Sequence, residues 1–281
     1  MFKKTLTLVM TIVFMVSAAA FVSADSDLTA QYASTAPTID GSMGSGEWGD
    51  VLFRIEDGLT DVHASAADPR IEDFSADIYA QWDDDNLYVL VVADYEEHEN
   101  DYPANEMYME DCLQLAIGPN TSKTTARNEF GFALATDLST KLSNAWFEVV
   151  ADGIDDVDFE ITRSGRKTVY EMAIPWNAIA EQSDVDLVGD GHTIFFSAAF
   201  CLGRDGGWLA IEYMTAIIGS KEVAQAAEVT LEKQESTSSS ASSQSDNVQT
   251  GDNAPVALMV VSALLLATVI TTKVYRKRSE A

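Results

Sequence analysis

The chain has 281 residues, with 45 Asp and Glu against 17 Lys and Arg, a formal net charge of −28. From Asp25 to Glu232 the imbalance is steeper, with 41 acidic and 10 basic residues, a net of −31. This excludes a basic footprint for nucleic acid or anionic lipid, and a hydrophobic content of 47% excludes an acidic disordered tail. Two cysteines, Cys112 and Cys201, exclude a disulfide-dense scaffold.

Residues 1–24 read as a secretory signal peptide. Lys3 and Lys4 form the basic start, Leu6 to Phe21 the apolar run, and Val22-Ser23-Ala24 the small residues before cleavage, so the mature chain is expected to begin at Asp25. Residues 25–232 are expected to form one β-rich domain. Ala76, Ile78, Ala80 and Trp82 alternate with Asp77, Tyr79 and Gln81, the period of a half-buried strand. Leu87 to Ala93 is an unbroken apolar run, suited to a strand covered on both faces. Asp83-Asp84-Asp85-Asn86 between them is turn chemistry, and the pair reads as a hairpin. Leu113, Leu115 and Ile117 alternate before Gly118-Pro119-Asn120. Further strands are expected at Phe130–Leu134, Ala145–Val150, Phe159–Thr162, Val169–Ile174, Ile194–Leu202 and Val229–Leu231, with a turn at Arg163–Arg166. Pro175 to Ala180 is expected to make one short helical turn, and Lys221–Ala227 is ambiguous. Many strands and few helices predict an all-β, antiparallel β-sandwich.

Five segments in this order resemble the family 9 carbohydrate-binding modules and the wider DOMON-like β-sandwich group. They are Ile39-Asp40-Gly41 with Gly46-Glu47-Trp48; Trp82 to Val89 running on to Asp94; Glu110 to Leu115; Tyr170 to Trp176; and Ile194–Phe200 with Arg204-Asp205-Gly206. The resemblance implies a binder that holds a polysaccharide or glycan between two aromatic rings. Tyr108 stands where one ring belongs, and Gln114 where a polar contact belongs. Ile217 to Ala227, where the second ring belongs, holds no aromatic, and the nearest are Trp208 and Tyr213. Trp48, Trp82 and Trp176 lie within apolar patterning and read as core.

The acidic run from Asp94 to Asp101, with Asp111 nearby, suits the oxygen-rich shell of calcium, with Asp94, Asp101 and Asp111 as candidate ligands, and the resemblance implies structural calcium too. A solvated loop is the alternative. Cys112 and Cys201 fall in expected strands, and the sequence leaves both an inter-strand disulfide and two buried thiols open. The chain carries no His-Glu-x-x-His zinc spacing, Gly-x-Ser-x-Gly elbow or phosphate loop, so it reads as a binder and not an enzyme. Two other readings remain: a surface adhesion or spacer domain that binds no sugar, and a haem-binding domain with Met107 or Met109 and a histidine as axial ligands.

Residues 233–249 form a Ser-rich linker. Residues 250–281 contain an uncharged stretch, 254–272, long enough to cross a bilayer as a transmembrane helix, followed by Lys273, Arg276, Lys277 and Arg278, a tail that places the domain outside. Thr250-Gly251, the hydrophobic span and the basic tail together resemble a sortase sorting signal of Gram-positive bacteria. This implies cleavage between Thr250 and Gly251 and a cell-surface protein joined to the cell wall, with a plain membrane anchor as the alternative.

Overall fold

The computed structural model describes residues 28–56, 61–64, 72–119, 121–122, 128–203, 209–213, 216–218 and 221–233. The expected signal peptide, most of the linker, the sorting signal and Trp208 lie outside these residues. Among the described residues, no helix is long and apolar enough to cross a membrane.

Among the described residues, thirteen strands run in chain order: β1 (Leu28–Tyr32), β2 (Phe53–Glu56), β3 (Asp61–Ala64), β4 (Ser75–Trp82), β5 (Asn86–Asp94), β6 (Cys112–Gly118), β7 (Asn128–Leu134), β8 (Lys141–Phe147), β9 (Asp158–Ser164), β10 (Lys167–Pro175), β11 (Thr193–Cys201), β12 (Leu209–Tyr213) and β13 (Ala227–Glu232). The α-helix among them is one turn, α1 (Trp176–Ile179), directly after Pro175. The pairing path is β8-β7-β6-β11-β13-β1-β4-β5-β10-β9, with β12 and β3 extending from β11 and β2 pairing with β4.

The two arms of this path face each other across one core. Phe132 of β7 lies 5.2 Å from Phe159 of β9, and Tyr170 of β10 lies 5.9 Å from Phe200 of β11, ring centre to ring centre. Phe200 also meets Phe74 and Tyr95 at 4.7 and 5.5 Å. Truncating so enclosed a ring costs about 3–5 kcal/mol, through lost transfer energy and the cavity left behind. The β-sandwich expectation holds with one correction. β1 runs parallel to both neighbours, β13 and β4. As the first strand it is joined to neither by a hairpin, so no turn forces it antiparallel.

The β4–β5 hairpin forms as the turn residues predict. Asp83 Oδ1 accepts the backbone N–H of Asp85 and Asn86 at 2.9 and 2.8 Å, the local bond that makes aspartate a turn residue. β5 is covered on both sides: Val89 and Val91 enter the main core, while Tyr88 and Leu90 pack with Trp48 and Ala33. That outer patch is pinned by Glu171 of β10, fully buried. Its Oε2 accepts N–H groups from Asp40, Gly41 and Ser42, and its Oε1 accepts Nε1–H of Trp48 at 3.2 Å. Burial raises the Glu171 carboxyl above its usual range, against the pull of these donors. The opening Ile39-Asp40-Gly41 and the late Tyr170-Glu171 segments are thus two halves of one contact.

Candidate binding face

The outer face of β8, β7, β6, β11 and β12 gathers the residues with binding chemistry. Register sets Asn144, Gly131, Gln114, Ala199 and Glu212 in one row across five strands. Leu113, Leu115 and Ile117 point the other way, into the core. Alternation therefore places Gln114 on the face turned away from the core.

Gln114 is only 4% exposed, and among the described residues its Oε1 has no hydrogen-bond partner. A buried acceptor left unpaired costs about 1–3 kcal/mol, so the position favours a ligand that supplies a donor. Glu129, also buried, accepts from Lys221 Nζ at 2.8 Å. Glu212 Oε1 accepts the N–H groups of Ile217 and Ile218, which fixes the segment covering Ala116 and Ala199.

A β-bulge supplies the aromatic wall. Phe130 pairs with Ala145 and Glu129 with Phe147, which leaves Trp146 as the extra residue. In a regular strand two successive side chains point to opposite faces, and the bulge removes that constraint. Trp146 lies against Gly131, and Phe147 sits 5.8 Å below the Lys221 ammonium. A Cβ at position 131 would collide with the rim of the Trp146 ring, so glycine admits the indole. Trp146 Nε1–H donates to the Asn105 carbonyl at 3.3 Å.

Tyr108 completes a corner with Trp146. The rings are 5.8 Å apart at 76°, edge to face. Tyr108 rides on a 3-10 turn, Ala104–Met109, which Asn100 holds from beneath. Asn100 is fully buried, and its Nδ2 donates to the carbonyls of Met107 and Asp111, both at 2.9 Å. The Met109 carbonyl approaches Gly203 so closely that no side chain fits there. Phe147 is 49% and Met109 37% exposed.

The structure thus joins Tyr108 and Gln114 on one face and adds Trp146, Phe147, Glu129 and Lys221. Trp146 was open to discovery in the sequence only through the oddity of adjacent Trp and Phe in an alternating strand. Of the two candidates for the second ring, Trp208 lies outside the described residues. Tyr213 lies on the core side of β12, stacked on Phe53 at 3.9 Å, because it is in phase with Leu209 and Ile211. From the C-terminal part of the domain, Lys221 also reaches this face, through Glu129 and Phe147.

The acidic residues expected to hold calcium are placed otherwise. Arg166 Nε donates to Asp94 Oδ1 at 2.7 Å, and its other nitrogens reach Glu96 at 2.6 Å and Asp73 at 3.0 Å. Asp111 is fully buried, and its Oδ2 accepts the Glu99 N–H at 3.0 Å beside His98 Nδ1 at 3.3 Å. Asp101 is exposed. No three His, Cys, Asp or Glu side chains group for a metal among the described residues. Haem ligation by His98 does not fit. Its Nδ1 hydrogen-bonds with Tyr95 Oη and its Nε2 with the Leu134 carbonyl, both at 2.9 Å.

Two open hollows lie away from this face. One of about 490 Å³ is lined by Tyr32, Gln81 and Glu47, the other of about 560 Å³ by Asp84, Trp176 and Asn177. In the first, Tyr32 is already engaged by Lys233 Nζ, 3.7 Å from the ring centre, and by Trp82.

An aromatic corner and a buried amide on one face of a β-sandwich are chemistry suited to a small ligand. The family described as "Carbohydrate family 9 binding domain-like" matches residues 39–198, and the chain belongs to it. Among solved structures, a family 9 carbohydrate-binding module from Caldicellulosiruptor kristjanssonii in complex with cellotriose is similar at 14% identity and TM-score 0.55, covering 75% of this chain and 96% of that one. The same module in complex with glucose is similar at 14% identity and TM-score 0.54, covering 73% and 96%. At that identity the likeness is one of fold. Among the curated proteins, none matches the chain.

Proposed function

We propose that this chain is a non-catalytic carbohydrate-binding module that holds a polysaccharide or glycan on the outer face of β6, β7 and β8, on the outside of the cell. The single observation that carries the reading is Gln114 Oε1, buried and without a hydrogen-bond partner among the described residues, level with the Gly131 against which Trp146 lies. A sugar ring offers both parts of the match. Its C–H face packs on an aromatic plane, and its hydroxyls donate to the waiting amide carbonyl. Family membership supports the substrate class, and the relatives bound to cellotriose and glucose suggest the first ligands to try. Export through the 1–24 signal and anchoring at Thr250-Gly251 by a sortase complete the proposal for a cell-surface binder.

Calorimetric titration of residues 25–232 with cello-oligosaccharides and a glycan array tests it. Trp146→Ala and Gln114→Ala are each expected to weaken binding about tenfold or more, the loss of about 1.4 kcal/mol or more, with the fold retained by circular dichroism. A glycan affinity equal to the parent's in both variants would move the site elsewhere. A second reading, a protein-binding surface, is favoured by the exposure of Phe147 and Met109. It takes over if the parent binds no glycan and Phe147→Ala abolishes capture of a protein partner.

A further inference from the structure

We propose that Cys112 and Cys201 form a cross-strand disulfide, made while the chain folds, that fastens β6 to β11 beside the binding face. The two cysteines are the only ones in the chain, so no other pairing competes. They stand directly opposite each other, Cys112 opening β6 and Cys201 closing β11. Opposed residues of an antiparallel pair have Cα atoms about 4.5–5.5 Å apart, inside the range of about 4.4–6.8 Å that a disulfide spans. Both side chains lie on the outer face, packed in one cluster with Met107, Ala133 and Ala210.

Both thiols are free and fully buried in this structure. Burial, with Cys201 and Asp111 close by, pushes the Cys112 thiol up and keeps it protonated. A thiol so enclosed is beyond the reach of an oxidant once the sandwich has closed. The bond must form earlier, by exchange with a small-molecule disulfide such as oxidised glutathione. One cysteine thiolate attacks that disulfide and releases one glutathione thiol. The second thiolate then displaces the other, joining Sγ to Sγ. The two cysteines lose two electrons and two protons in all, and the glutathione disulfide gains them.

The bond closes a loop of about 90 residues, which restricts the unfolded chain more than the folded one. It also borders the site. Cys112 follows Glu110-Asp111 at the foot of the turn that carries Tyr108, and Cys201 precedes Gly203, which lies under the Met109 carbonyl. The link would hold those two strand ends at fixed separation.

The test refolds the full chain from denaturant in oxidised glutathione or in reductant, and counts thiols with Ellman's reagent under denaturing conditions. The oxidised preparation is expected to show no free thiol and to melt about 5–15 °C above the reduced one. Cys201→Ala is expected to show no redox dependence of melting. An oxidised chain that melts below the reduced one, or that retains two free thiols after refolding, overturns the proposal.

Discussion

Asp137 shows how one carboxylate can tie stability to pH. Its Oδ1 accepts the N–H groups of Ser139 and Thr140 at 2.7 and 2.8 Å, and its Oδ2 accepts the Thr140 hydroxyl at 2.8 Å, closing the β7–β8 turn. These donors favour the charged form and pull its pKa from 3.8 to about 2. A folded value below the unfolded one gives stability that is present above about pH 4 and is lost as pH falls toward 2. Asp137→Asn is expected to flatten the loss of stability over that window, measured by urea unfolding at successive pH values. At this scale strand phase was legible around Gln114, and Gln114 and Tyr108 were named on the family resemblance. Trp146 was not, because a tryptophan in an apolar stretch reads equally as core, and a bulge leaves no mark in local composition. Tyr213 was misplaced for the converse reason: an aromatic near the right end of the chain carries no sign of which face it takes until the register of β12 is known.

Among the elements, those with a local cause were predicted and those without were not. The β4–β5 hairpin follows from Asp83, and α1 from Pro175-Trp176. β1, β2, β3 and β12 were missed. They are four or five residues long and take their partners from distant parts of the chain. β8 begins at Lys141, four residues before the expected start, because its polar Ser143 and Asn144 hide an edge strand whose outer face is half-exposed. The 3-10 turn that carries Tyr108 is also non-local in cause, resting on Asn100 within what reads as a purely acidic run. Asn100→Ala would leave the Met107 and Asp111 carbonyls buried without a donor, at a cost of about 1–3 kcal/mol for each. Lower melting temperature and weaker glycan binding are expected together, and Asn100→Asp should not restore either, since its carboxylate cannot donate. Normal binding in a stably folded Asn100→Ala protein would show that the turn needs no such support.

For the whole molecule, a net charge of −31 over residues 25–232 makes cations the natural suspects for stabilisation, yet Arg166 already binds Asp73, Asp94 and Glu96. Adding EDTA at constant ionic strength is therefore expected to leave the melting temperature unchanged. A fall would place calcium among other residues than these. The anchoring proposal is tested by mass spectrometry of wall-released protein, with a C-terminus expected at Thr250. An intact chain ending beyond Arg278 in the membrane fraction would leave a plain membrane anchor.

The parallel placement of β1 beside β13 has a mechanical consequence. Gln31 is level with Glu232, the last residue of β13, and β13 is bonded to β11 on its other side. A pull on the C-terminal end of the domain would enter at Glu232 and run along β13, in line with both neighbours. The inter-strand bonds would then bear the load side by side, in shear, and would not peel open one at a time. Loaded in this way, the domain should resist a pull better than its equilibrium stability alone would suggest.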